Sequence, residues 1–471
     1  MLTRNANGRT LRTTDTSAPL SSPRPSSPAF WPRVRQFAVP PAMIEKATAR
    51  RAVGDWAGAC SAAHFDVDFG LRTVARTHGR QVADQLRSDL RHLAPDLLRW
   101  HMPRIAPDGL LRPGLTVALA RYEAADPTGV RPLHLVARTP PAWADAGQRI
   151  SLALWDGARA RADPSRHHLH PHPHRRFRLD LHRPLWDARR AGELRARSGT
   201  GVPDPRWHHC AVDRWADEAA LLLHTDGRPT GPVVVRLGAG RRLLIEPYPH
   251  ADAVGVGHPS GFRTVDPPAI GDTSVLPVLP DASTWILPDL ELLRTGAITA
   301  ERLHPLVAAS LLPDSTPAGP ITAPAAGHPR IVECRGARHR IGLVDGALAP
   351  LDHDPAEIRR EELLAALSGT PLPCLRVIDE AHRRPDALTG VRERLDHGDI
   401  DGALAVIEDL LGPEALLRDG PLRDELETAA RRRVTHGLYR AGLISSAPFP
   451  ARTGPAARRD IRSHPRHSST R

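Results

Sequence analysis

Residues 114–139, GLTVALARYEAADPTGVRPLHLVART, decide the fold class. Two apolar, strand-length runs, 115–122 and 132–139, flank the turn signals Asp126-Pro127 and Thr128-Gly129, and Pro140-Pro141 separates the second from a third run at 149–155. Short turns between consecutive strands predict an antiparallel meander, because parallel neighbours need a long crossover.

Upstream the period is helical. Residues 43–63 place Val53, Trp56, Ala57 and Cys60 on one face, with a break at Gly54-Asp55. A second amphipathic stretch carries Leu71, Val74, Ala75, Val82, Leu86, Leu90, Leu93, Leu97 and Leu98 until Pro103 stops it. Downstream, residues 157–206 read as an Arg-, His- and Pro-rich connector with one helix over 184–196. A helix at 210–224, a hairpin of 232–237 with 241–247, and helical segments at 282–294 and 299–311 follow, Pro288 breaking the first of these segments. STPAGPITAPAAGHP, residues 315–329, is an interdomain linker by composition. Beyond it, 331–336 and 339–344 alternate as strands, Asp345-Gly346 signals a hairpin into 347–351, and helices are expected at 356–367, 372–383, 387–397, 400–411 and 422–441.

The expectation is an α+β fold, with helical hairpins plus small antiparallel meanders in two or three modules and disordered basic tails. The boundaries read as a tail at 1–36, a helical hairpin plus β-meander at 37–156, the connector at 157–206, a mixed α/β module at 207–314, the linker at 315–329, a β-meander with a helical cap at 330–442 and a second tail at 443–471. One local pattern occurs twice. Gly54-Asp55-Trp56-Ala57-Gly58-Ala59 and Gly398-Asp399-Ile400-Asp401-Gly402-Ala403 each stand where one helix ends and the next begins. Glycine suits the left-handed cap, Asp can cap the next helix, and the small residues allow close helix approach. Two copies so far apart make two independent helical hairpins, not a solenoid, whose repeats are contiguous.

Composition excludes several functions. Lys46 is the one lysine against 63 arginines, and the only asparagines are Asn5 and Asn7, as codon bias in a GC-rich genome produces. The P-loop lysine, the kinase phosphate-binding lysine and the pyridoxal-phosphate Schiff base are thereby removed. The high isoelectric point is discounted as a nucleic-acid signature, because residues 1–36 and 452–471 each hold six Arg and one Asp, leaving a nearly neutral body. Residues 157–199 are basic, with eleven Arg, and 351–430 are acidic, with nineteen acids against nine Arg. Four scattered cysteines, no apolar leader and no long apolar run predict a cytoplasmic protein with reduced thiols that neither enters nor crosses a membrane.

The motifs are weighed by what each chemistry requires. Val377-Ile378-Asp379-Glu380-Ala381-His382 looks like a DEAH Walker B box, yet no GxxxxGK[ST] precedes it and the patterning is helical. His167, His168, His170, His172 and His174 alternate with Pro beside Arg175, Arg176 and Arg178, which suits adventitious metal binding. Cys334, His339, His353 and Cys374 are spaced C-x4-H-x13-H-x20-C within one module; four N and S donors could close a zinc site, but neither pair resembles a knuckle and a buried Cys on a strand is the commoner explanation, so no cofactor is expected, zinc being the one candidate. His208-His209-Cys210 is a weaker set, since adjacent side chains diverge. GHPSG at 257–261 is out of register for GxSxG, and Asp180-Leu181-His182 and Asp352-His353-Asp354 set acids beside imidazoles without implying convergence. Trp56, Trp100, Trp155, Trp215 and Trp285 read as core anchors, whereas Trp143, Trp186 and Trp207, beside Pro and Arg, read as interface residues.

RAVGDWAGACSAA, DLRHLAPDLLRWHMPR, FRLDLHRPLWDARRAGELRAR and CRGARHRIGLVDGALAPLDH resemble, in their order, large uncharacterised proteins of high-GC actinobacteria over most of residues 37–442. The resemblance carries over no activity and no catalytic residue. What it implies about partners is an AAA-type ATPase and a von Willebrand A-type protein. With no assembled catalytic motif, the chain reads as a noncatalytic scaffold or adaptor for protein partners, with Arg175, Arg176, Arg178, Trp186 and Trp207 as candidate interaction residues. The alternatives are a metal-assisted hydrolase using the His-rich segment or the Cys334 region, and nonspecific nucleic-acid association through the basic segments.

Overall fold

The structure is a computed structural model describing residues 30–126, 129–157, 170–199, 207, 209–238, 240–248, 261–266, 275–313, 330–334, 336–344, 347–368, 372–383, 390–411 and 420–444. Most of both expected tails and the 315–329 linker lie outside the described residues. The fold is mixed α+β, with several small sheets among many helices.

The basic N-terminal segment was expected to run to residue 36, but structure begins earlier. Helix α1 (Trp31–Phe37) has Pro in its first turn and buries Val34 and Phe37, with Phe30 buried just before it. Helices α2 (Pro41–Ala52) and α3 (Trp56–Ala62) form the first expected hairpin. Val53 does not share the buried face, because it falls in the turn and is 79% exposed. Strand β1 (Phe65–Val67) leads to α4 (Leu71–His78), α5 (Arg80–His92) and α6 (Pro95–His101). The long second amphipathic stretch therefore breaks at Gly79, whose φ is 90°, and again before Pro95. Leu86, Leu90, Leu93, Leu97 and Leu98 are fully buried, each worth about 1.5–3 kcal/mol relative to an exposed side chain.

A small pair, β2 (Arg104–Ile105) and β3 (Leu110–Leu111), precedes β4 (Thr116–Asp126), β5 (Gly129–Arg138) and β6 (Ile150–Asp156). The last three are the expected antiparallel meander. The sheet is nonetheless mixed, because β1 pairs in parallel with β6 to give the order β1-β6-β5-β4. Three residues carry too little periodicity to announce such a strand.

The described part of the expected connector is built into the molecule. His174 N donates to the Thr116 carbonyl, Asp180 N to that of Ala118, and Arg178 bridges Ala118, so the segment runs along β4. No helix spans 184–196. The carboxylate of Asp187 accepts from Arg189 N at 3.0 Å, side-chain competition of the kind that interrupts helices, and 3-10 turns lead instead into α7 (Leu194–Arg197). Phe177, Leu179, Leu185, Trp186 and Leu194 join one core reaching from Phe30 to Leu311, so that core does not divide at 156 or 206.

A second core centres on α8 (Trp215–Thr225) and the antiparallel sheet of β7 (Val233–Arg236), β8 (Arg242–Pro247) and β9 (Phe262–Thr264). Helices α9 (Asp281–Thr284), α10 (Pro288–Arg294) and α11 (Pro305–Leu311) follow; Pro288 starts α10, as its place at a helix break anticipates. The C-terminal region has strands β10 (Arg330–Cys334), β11 (Ala337–Val344) and β12 (Ala347–Pro350) as a meander. The helices α12 (Pro355–Ser368), α13 (Pro373–Arg383), α14 (Val391–His397), α15 (Ile400–Leu411) and α16 (Pro421–Arg440) are its cap, with a core of Ile341, Ile378, Val391, Leu395, Ile407 and Leu422. This cap sits on the turns that precede β6. Trp143 meets Tyr439 edge-on at 5.4 Å, His436 Nδ1 lies 2.9 Å from the Ala144 carbonyl, and Arg440 pairs with Asp68.

Candidate metal centre

Strand alternation explains the first spacing in the Cys334 set. Val332 pairs with His339 and Cys334 with Ala337 across β10 and β11, so Cys334 and His339 occupy one face of the hairpin two positions apart. His353 follows the end of β12, and Cys374 is the second residue of α13. The meander and the first turn of its helical cap thus converge. Ligand atoms of Cys334, His353 and Cys374 all lie within 4.8 Å of one another. Tetrahedral zinc with Zn–S bonds of about 2.3 Å holds its sulfurs about 3.8 Å apart, so closing the site needs shifts of no more than about 1 Å.

Both cysteines are fully buried and reduced, and the His353 side chain is 4% exposed. Burial pushes the Cys374 thiol up to about 11, and the hydrogen bond and negative charge of Cys334 add to the rise. Two buried imidazole nitrogens, His353 Nε2 in this group and Nδ1 of His339 stacked on it, have no hydrogen-bond partner. His353 Nδ1 faces Glu357 Oε2 at 3.6 Å, one turn into α12. A carboxylate behind one ring nitrogen and a free second nitrogen is how metal-bound imidazoles are oriented. The residues therefore fit zinc, whose preference is for thiolate and imidazole donors.

His339 is near but placed differently. Its ring stacks on His353 at 4.0 Å and 12° between planes. Ring nitrogens coordinate in the ring plane, so two stacked imidazoles cannot both aim at one ion. Three residues converge, and the fourth candidate backs one of them.

The other sequence candidates are dispersed. His167 and His168 lie outside the described residues. His172 meets Trp155 edge-on at 5.5 Å, His174 packs on Phe177 at 5.0 Å, and His170 contributes its carbonyl to Thr116 Oγ1. Burial and neighbouring arginines push His174 down to about 4. His208 is outside the described residues, while His209 Nδ1 lies 2.9 Å from Glu291. Val377 to His382 is helical, within α13, where a Walker B box needs a strand; residues 257–260 of GHPSG lie outside the described residues. Asp180 pairs with Arg178, whereas His182 turns to Ser283 and Glu218; Asp352 pairs with Arg340 and Asp354 caps Ala356 N.

That second cluster was not legible in sequence. Ser283 Oγ lies 2.9 Å from His182 Nε2 and 3.1 Å from Glu218 Oε2, but His182 Nε2 also faces the carboxylate at 3.0 Å and Nδ1 faces no partner. A nucleophile triad needs acid and hydroxyl on opposite ring nitrogens, so this cluster is a buried polar tie. The interaction candidates also change role. Trp186 is fully buried and donates to the Leu179 carbonyl at 2.9 Å, Arg176 is paired with Asp281, and Arg178 with Asp180 and Asp226. Arg175 is exposed, and Trp207 packs against the second core under Arg241.

No family model, no curated protein and no solved structure matches the chain. Among the described residues, no helix is long and apolar enough to cross a membrane.

Proposed function

We propose that this chain is a noncatalytic scaffold that binds a protein partner through its C-terminal region, and that zinc held by Cys334, His353 and Cys374 clamps the meander of that region to its helical cap. The observation that carries the reading is where apolar side chains stand in solvent. Six of the nine large hydrophobic residues exposed among the described ones, Leu351, Leu363, Leu404, Val434, Leu438 and Leu443, belong to this region; Val53, Tyr248 and Val275 stand elsewhere. Val434 and Leu438 are one turn apart on α16, 64% and 37% exposed, and so form one stripe. An apolar stripe flanked by the charged residues Arg431, Arg433 and Arg440 supports recognition of another protein. Buried ligands support a structural role for the metal.

The test is affinity purification of the full chain from its native host. A stoichiometric partner is expected, together with about one zinc per chain. Val434→Asp with Leu438→Asp should lose the partner and keep the zinc; a partner retained by that variant would sink the scaffold reading of this face. One observation favours a second reading, a metal-assisted hydrolase. With His339 stacked behind His353, a fourth coordination position is left for water, as in catalytic sites. Bound zinc would there supply an acidified water. Turnover of an ester or phosphoester that survives tag removal and vanishes in Cys334→Ser would put that reading first.

A further inference from the structure

A cavity of about 210 Å³ lies where α1, the end of α6, the segment along β4 and the residues around α9 meet. It is larger than the roughly 150 Å³ apolar cavity that accepts benzene. Trp31, Trp100, Phe177 and Trp285 contribute flat apolar surface to its lining.

Its charge is unbalanced. Four of the guanidiniums that line it are matched: Arg35 by Asp289 at 2.7 Å, Arg176 by Asp281 at 2.7 Å, Arg178 by Asp180 at 2.8 Å and Arg197 by Glu218 at 2.6 Å. Two are not. Arg104 donates only to the carbonyls of Gly109 and Arg99, and its buried Nε has no partner. The Arg112 guanidinium has no hydrogen bond or ion pair among the described residues, its backbone alone bonding to Pro103 and Thr139, and it stands 5.8 Å from the Phe177 ring, where Arg176 is also packed. The carboxylate whose charge reaches Arg112, Asp281, is already held by both Nε and Nη2 of Arg176, and Arg176 and Arg236 add positive charge nearby. His101, at the end of α6, adds a buried Nε2 with no partner. A guanidinium withdrawn from water without a counter-charge is costly, so unmatched cations around an apolar recess call for an anion from outside.

We infer that this cavity binds a small organic anion, a single flat apolar ring bearing one carboxylate or comparable oxyanion, with Arg112 and Arg104 supplying the charge match and the aromatic side chains flanking the ring. Guanidinium suits this role because its planar donors match the two oxygens of a carboxylate.

The experiment uses the full chain, with thermal melting and calorimetric titration against benzoate, its neutral isostere benzamide, and inorganic phosphate. Benzoate is expected to raise the melting temperature saturably, benzamide to leave it unchanged, and phosphate to act far more weakly because it cannot fill the apolar part. Arg112→Met should weaken benzoate binding about tenfold or more. That variant deletes an unmatched charge, so its unliganded melting temperature should equal or exceed that of the unaltered chain. No saturable response to benzoate, an equal response to benzamide, or undiminished affinity in Arg112→Met would each overturn the assignment. A response to phosphate alone would overturn the organic class. The comparison of the three probes on the unaltered chain decides the matter even if the variant does not fold.

Discussion

The hairpins at Gly54 and Gly398 obey one local grammar in two different settings. Each has an arginine at the end of the first helix, a left-handed glycine, an aspartate and a second glycine in the order Arg50, Gly54, Asp55, Gly58 and Arg394, Gly398, Asp399, Gly402. Asp55 accepts from Gly58 N at 2.8 Å, and Asp399 from Gly402 N at 3.0 Å. Arg50 and Arg394 reach the other oxygen of those carboxylates at 3.3 Å and 2.6 Å, and the following residues, Ala59 and Ala403, are both fully buried. The settings differ. A Cβ on Gly54 would meet open space, whereas one on Gly398 would come within 2.6 Å of Gly147 Cα and run into its carbonyl. Arg99 donates to the carbonyls of Ala38, Gln148 and His397, tying the second turn to residues at the edge of the core that reaches from Phe30 to Leu311. Local sequence makes the turn; what presses on it decides how much the rest of the molecule depends on it.

Acidification should affect both hairpins and have the largest effect. His64, just after the first, is held down to about 3 by burial and by Arg99, Arg149 and Arg433; His397, at the end of α14, is held down to about 3 by burial and by Arg104, Arg99 and Arg33. With folded values below the usual 6.5, the unfolded chain binds more protons between these limits. The stabilisation from neutral imidazoles is complete above about pH 6.5 and is lost as pH falls toward 3. Denaturant melts across that range should show stability falling with pH, with a shallower slope in His64→Asn and in His397→Gln. An unchanged slope in either variant would break the symmetry at that hairpin.

Arg99→Met comes next, because it orphans three carbonyls and removes the tie to the second hairpin; about 3–5 kcal/mol of unfolding free energy should be lost. Retention of the second-hairpin protection in hydrogen exchange would show that the tie is dispensable. Gly398→Ala should cost at least about 3 kcal/mol and Gly54→Ala only about 1–2, since both force alanine into a left-handed turn but the first also collides with backbone. Equal losses would mean that the close approach to Gly147 relaxes freely. The smallest effects belong to the caps: Asp55→Ala and Asp399→Ala should each cost about 1 kcal/mol in urea melts, a match expected because each cap is local to its own hairpin.

Much of the element content was legible for the reason these hairpins were. Gly54, Gly398 and Pro288 act on neighbouring φ and ψ, the apolar runs 115–122 and 132–139 are bounded by turn residues, and the alternation in 339–344 reports a pleat whichever partner covers it. What escaped had no local signature. Strand β1 is too short to show a period, and the segment 174–186 carries so many Arg, His and Pro residues that its burial against β4 is invisible until Asp281, Asp180 and Asp226 appear opposite its arginines. Trp186 shares that fate: its charged neighbours suggested a surface, yet the fold closes over its ring.

The candidate metal set marks the same division. By itself the sequence determined that two cysteines and two histidines belong to one meander and its cap, because strand alternation and turn residues need no knowledge of the rest of the chain. Only the tertiary structure decided that Cys374 returns to Cys334 and His353, that His339 stacks behind instead of joining them, and that Glu357 stands at the other side of His353. Those relations depend on how α13 packs against β10 and β12, and packing is set by contacts between residues far apart in the chain, which no local spacing encodes.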